Sequence, residues 1–211
     1  MADVMQVALT QQDVERLTLD RSANARVGTA SKVARLYAQA PLSAAERRIA
    51  EDIITAFTGD LEVAVREALS QQLRQCPFLP RPLALTLARD VESVAIPMLQ
   101  YSEVLRDEDL IEIVRRCGLS KQLAVARRRR VSAAVSDALV GRGREEVALT
   151  LLANGGAAIS EAGLHKIIDD FGDRAVLHGP LVRRTSLPAS VVERLATVVS
   201  DEFQRYLVKQ H

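Results

Sequence analysis

The chain restarts a helix about every thirty residues, and that recurrence limits its fold more than any other feature. Asp60, Asp90, Ser120, Arg144 and Asp173 open segments reading DLEVAVREAL, DVESVAIPML, SKQLAVARRR, REEVALTLLA and DRAVLHGPLV, at intervals of 30, 30, 24 and 29 residues. Apolar residues recur three to five places in and, in all but the Ser120 segment, again eight to nine places in. Pro97 and Pro180 both fall seven residues after their segment's opening Asp, where a proline removes a backbone donor and bends a helix. A period of this length made of helix pairs is the pattern of an α-solenoid. One pair cannot cover its own apolar face, so stacked neighbours supply the cover.

Helical spacing is present along most of the chain. Val65, Leu69 and Leu73 recur every four residues with Leu61 one turn earlier, and Ile49, Ile53 and Phe57 do the same. Second helices carry Leu110, Ile111 and Val114, then Leu164, Ile167, Ile168 and Phe171, then Val191, Val192, Leu195, Val198, Val199 and Phe203. Ser43 and Glu46 fit a capping box. Gly59-Asp60 and Gly172-Asp173 suggest a left-handed helix end followed by a new N-cap, and Gly118 with Ser120 a similar junction. Asp107 and Ser160 are further N-cap candidates, and Pro188 suits a first helical turn. Strand signals are nearly absent: there is no Asn-Gly or Asp-Gly hairpin. Aromatic residues make up 3% of the chain and Trp is missing, so the core must be built from Ala, Leu, Val and Ile. The expected fold is all-α, an α-solenoid of about eleven helices in antiparallel HEAT-like pairs. Residues 1–58 would form an N-terminal helical cap, and residues 59–211 a helical-repeat region packed as one continuous domain.

The strings VAIPMLQYSEVLRDEDLIEIVRRCG and AVSDALVGRGREEVALTLLANGGAAIS resemble an uncharacterised alphaproteobacterial domain family of unknown function (DUF2336-like), and their spacing resembles HEAT and leucine-rich-variant repeats. The resemblance runs from about Asp20 to Leu207 and is best between Asp60 and Ser160. It implies helical repeats and an interaction role, and it supplies no catalytic residue. The Ser120 segment departs from the pattern: it is short, and Arg128 and Arg129 stand where neighbouring segments put Met98 and Leu99 or Leu181 and Val182. Unpaired guanidinium groups are too costly to bury there.

Lys and Arg total 28 against 27 Asp and Glu, which disfavours a globally basic nucleic-acid binder. The near-neutral sum hides a local excess. Arg115, Arg116, Lys121, Arg127, Arg128, Arg129 and Arg130 lie within sixteen residues without an acid among them, and Arg142 and Arg144 follow. These nine are the candidate anion- or partner-binding residues. They could clamp carboxylate or phosphate through the planar guanidinium fork, or form solvated helix ends that pair with the acidic segment 103–112.

Nothing else in the chain reads as chemistry. His165, His178 and His211 have no cysteine at metal-ligand spacing, and Cys76 and Cys117 lack the CxxC pattern. No phosphate-binding glycine motif occurs, since Gly141-Arg142-Gly143 and Asn154-Gly155-Gly156 suit helix exits. Tyr37 and Tyr101 are too scattered to form a base-stacking platform. The expectation is a non-enzymatic protein–protein interaction scaffold without catalytic, cofactor or metal residues. An anion-binding module for nucleic acid or a phosphorylated ligand is the alternative. No apolar run approaches a membrane span and the start, MADVMQVALTQQDVERL, lacks the pattern of a secretory leader, so a cytoplasmic protein is expected. The partner is a protein of unknown identity. An uncapped apolar end would favour a homodimer, against which the polar QRYLVKQH tail argues.

Overall fold

The structure, a computed structural model, describes residues 22–184 and 187–199, the Val198 side chain excepted. The described residues form twelve helices and no strand: α1 (Ala23–Gln39), α2 (Ala44–Thr58), α3 (Val63–Leu73), α4 (Arg81–Arg89), α5 (Glu92–Tyr101), α6 (Asp107–Arg116), α7 (Leu119–Ala126), α8 (Ala133–Val140), α9 (Glu145–Ala153), α10 (Glu161–Phe171), α11 (Ala175–Val182) and α12 (Ala189–Val198). The fold is all-α. The N-terminal segment 1–21, Phe203 and the QRYLVKQH tail lie outside the described residues. The chain divides into two compact units, Met1–Leu105 and Arg106–His211.

Within each unit a helix packs on the helix two places along the chain. In the first unit α1 packs on α3, α3 on α5, and α2 on α4. In the second α7 packs on α9, α9 on α11, α6 on α8, α8 on α10, and α10 on α12. Polar contacts fix the directions. The start of α1 meets the start of α3 through Arg26 and Asp60, and the end of α1 meets the loop after α3 through Tyr37 Oη and the Phe78 carbonyl, 2.9 Å apart. Arg174 at the start of α11 lies 3.6 Å from Glu145 at the start of α9, while Arg184 after α11 reaches the Leu151 and Leu152 carbonyls near the end of α9. Odd-numbered helices are therefore parallel within a unit, and the even-numbered helices that link them run the other way.

One register serves every odd-numbered helix. Counted from the first helical residue, positions seven and eight are buried in all six: Thr29 and Ala30, Leu69 and Ser70, Met98 and Leu99, Val125 and Ala126, Leu151 and Leu152, Leu181 and Val182. Full burial of one such Leu, Met or Val side chain contributes roughly 1.5–3 kcal/mol. Pro97 and Pro180 both occupy the sixth position, in α5 and α11. Neither can donate to the carbonyl one turn back.

This register replaces the expectation for Arg128 and Arg129. Gly118 caps α7, so the helix begins at Leu119 and ends at Ala126. Val125 and Ala126, fully buried, fill the places taken elsewhere by Met98 and Leu99, and the chain has left the helix before Arg128. Counting from Ser120 shifts the frame by three residues because the serine is the second residue of the helix and not its cap.

Other local expectations divide by their physical cause. The Ser43–Glu46 capping box is present, with reciprocal bonds of 3.3 and 2.9 Å, and Ser160 caps α10. Gly59 and Gly172 do follow helices but have φ of −95° and −61°, so neither is left-handed. At Gly172 the requirement is space, since a Cβ there would sit 2.5 Å from the Ile168 carbonyl oxygen. Asp107 and Asp173 lie beside their N-caps, Arg106 and Arg174. Val65, Leu69 and Leu73 are buried, whereas Leu61 is 95% exposed because it precedes the helix. In α2 the buried face is Ala50, Ile54 and Thr58, one residue out of phase with the larger Ile49, Ile53 and Phe57.

Candidate functional site

The helices separate the nine basic residues into two groups. Arg115 and Arg116 end α6, Lys121 lies in the first turn of α7, and Arg142 and Arg144 lie between α8 and α9. Arg127–Arg130 follow α7. Eight helical residues advance about 12 Å, and Asn154 joins the ends of α7 and α9. Five of the nine thus lie at the start of these helices and four at their finish. Acids are interleaved at the starting end, where Glu145 meets Arg174 and Asp173 adjoins it.

At the finishing end the backbone of the arginine turn is held on a second loop. Asn154 Nδ2 donates to the carbonyls of Ala126 and Arg128, each at 2.8 Å, and its Oδ1 accepts from the Gly156 amide at 2.9 Å. Val131 donates to the Gly156 carbonyl at 3.1 Å, and Ala158 donates to the Val131 carbonyl at 2.8 Å, closing a single parallel bridge. A Cβ at Gly156 would fall 2.0 Å from the Arg129 carbonyl oxygen, so only glycine fits this approach. Arg184 extends the arrangement by donating to the Ala157 carbonyl as well as to Leu151 and Leu152. Burial disfavours its charged form and lowers its pKa. The Leu151 and Leu152 carbonyls carry the negative end of α9.

The side chains of the turn are less engaged than its backbone. Arg127, Arg129 and Arg130 are exposed, and none makes an ion pair with a described residue. Arg128 is half-buried and has a partner of its own, as does Lys121. Arg183, exposed at the C-cap of α11, lies at the same end one helix pair further on. Asn154, Gly156, Arg183 and Arg184 were no part of the candidate set. The Asn-Gly-Gly string resembles any helix exit, and its partners stand 26 and 28 residues away.

Residues 94–211 match the family described as an uncharacterised protein conserved in bacteria (DUF2336). The chain belongs to that family. The match takes in the arginine turn and its clamp, while Arg26, Asp60, Arg66 and Asp90 lie outside it. No curated protein and no solved structure matches the chain.

Three other groups bear on chemistry. Ser190 donates to Glu161 Oε1, and His165 Nε2 lies 3.2 Å from Ser190 Oγ and 3.8 Å from the same carboxylate. A serine nucleophile needs the imidazole to take its proton and an acid on Nδ1. Here the hydroxyl proton points to Glu161, and His165 Nδ1 is buried without a partner. Burial pushes the Cys76 thiol up, opposite to the shift that activates a cysteine. His178, buried, bonds the Gly172 carbonyl at 2.8 Å, a structural role. Among the described residues no group of three His, Cys, Asp or Glu is placed to hold a metal ion, and no helix is long and apolar enough to cross a membrane.

Proposed function

We propose that the chain is a non-enzymatic, cytoplasmic scaffold that binds a protein partner through a HEAT-like α-solenoid. One observation carries this reading: a single buried register recurs through the odd-numbered helices of both units. Repeats of this kind gain stability from neighbour-to-neighbour packing and require no reaction pocket, so their surface is available for recognition. Photo-crosslinking of the full chain in its native host, from exposed positions on each unit, tests the reading. The expected result is one protein crosslinked reproducibly and at high yield. Recovery of no protein, or of a small-molecule product formed by the purified chain, contradicts it.

The alternative, an anion-binding module for nucleic acid or a phosphorylated ligand, draws support from the exposed, unpaired Arg127, Arg129 and Arg130. Counterion release would give it a steep loss of affinity with salt. A mainly apolar partner contact would show little.

A further inference from the structure

We propose that the Arg127–Arg130 turn docks an acidic segment of the partner protein, which rests on the scaffold reading above and names the chemistry its partner must present. Four consecutive arginines in an ordinary loop would be a solvated charge run. Here the loop is braced by the two Asn154 bonds at 2.8 Å, by the Val131–Ala157 bridge, and by a glycine whose Cβ would meet the Arg129 carbonyl oxygen at 2.0 Å. The backbone is held while the guanidiniums of Arg127, Arg129 and Arg130 stay exposed and without an ion pair among the described residues. A braced backbone lowers the ordering cost when a partner binds.

The charge pattern selects the occupant. Several separate guanidiniums suit carboxylates spaced along a peptide, each able to take a two-pronged contact, better than one compact anion. Nucleic acid fits less well. Val176 is the one exposed large hydrophobic residue in the described part of this unit, so no exposed aromatic ring among the described residues offers a base-stacking platform. The remaining basic candidates stand at the opposite end of α7 among acids, so no continuous phosphate track forms. Asp137 and Glu161 accept bonds from Ser160 and Ser190.

The test titrates a fluorescein-labelled oligoglutamate, an oligolysine and an oligothymidine into the full chain at low and high salt. Oligoglutamate should bind and weaken as salt rises. Charge reversal R127E/R129E/R130E should weaken it at least about tenfold without lowering the thermal midpoint. Reversal at the other end, R142E/R144E, should change it less than about twofold. If the first variant fails to fold, R127A/R129A/R130A keeps the backbone clamp and should show the same loss. Absence of oligoglutamate binding, equal loss in both reversal variants, or displacement of oligoglutamate by oligothymidine overturns the proposal. Should the reversal variant still crosslink the host partner at full yield, this docking site is wrong while the scaffold reading stands; if the unaltered chain crosslinks nothing, the scaffold reading has failed.

Discussion

In the first unit Arg26 and Arg66 hold Asp60 and Asp90 by two-pronged ion pairs, and Arg47 lies over the rings of Tyr37 and Phe78 at 5.2 and 5.3 Å. In the second unit Gln122, Asn154, His178 and Arg184 donate to backbone carbonyls instead. The comparison is close because the positions correspond. Arg26, Arg66, Gln122 and His178 each stand fourth in an odd-numbered helix. Arg66 also reaches back to the Asp60 carbonyl, as Gln122 reaches the Cys117 carbonyl at 3.1 Å and His178 the Gly172 carbonyl. All three bond the backbone just before their own helix. One structural need, satisfying carbonyls where a helix has ended, is met by an arginine that also pairs with a carboxylate in one unit and by Gln122 and His178 in the other. The units should therefore share their response to core damage and differ in their response to acid.

The largest shared effect should come from position seven. Leu69→Ala and Leu151→Ala, both fully buried sites, should each cost ~2–5 kcal/mol in urea unfolding. A loss below ~0.5 kcal/mol in either, as at an ordinary surface site, would break the common register. Next is Gly156→Ala in the second unit, expected to cost ~1–3 kcal/mol by forcing the arginine turn away from its clamp. An unchanged midpoint would show that the two loops are not in close approach.

The fourth-position device is tested at His178. His178→Leu leaves the Gly172 carbonyl without this donor and should cost ~1–3 kcal/mol. His178→Gln, which copies the chemistry of Gln122, should recover most of that loss. Equal destabilisation by both would show that ring packing, not the hydrogen bond, matters.

The smallest effect sharpens the ionic contrast. Burial works to raise the Asp60 pKa, but the Arg26 bonds, the Glu62 amide and the charges of Arg26 and Arg66 outweigh it and hold the carboxyl below its ordinary value. A depressed folded value means the carboxylate's contribution is complete above the unfolded value near ~4. It is lost as pH falls through the folded value. Asp60→Asn should therefore cost ~1 kcal/mol at neutral pH, with the gap from the unaltered chain closing in that acid window. A gap independent of pH would remove the ion pair from the account.

Sequence spacing revealed the architecture where a helix start had a local cause. The segments opening at Asp60, Asp90, Arg144 and Asp173 precede helices beginning at Val63, Glu92, Glu145 and Ala175, and both mid-helix prolines share one position. It misled where two local patterns competed. Ile49, 58% exposed, looks more like core than its neighbour Ala50, yet tertiary packing selects the smaller residue. Ser120 looks like an N-cap, yet Gly118 serves. For the candidate site, the run of arginines was plain in the sequence, but its division was not. Placing Arg115 and Arg144 at one end of α7 and Arg127–Arg130 at the other requires the directions of α7 and α9. The Asn154 clamp depends on residues 26 and 28 positions away, a pairing that no local pattern encodes.

Methyl–methyl NOE spectroscopy on the full chain tests the stacking most directly. The account predicts cross-peaks linking α3 to α5 and α7 to α9 through their buried seventh positions, Leu69 and Met98 in one unit and Val125 and Leu151 in the other. Cross-peaks confined to helices adjacent in sequence, with none between alternate helices, would contradict it.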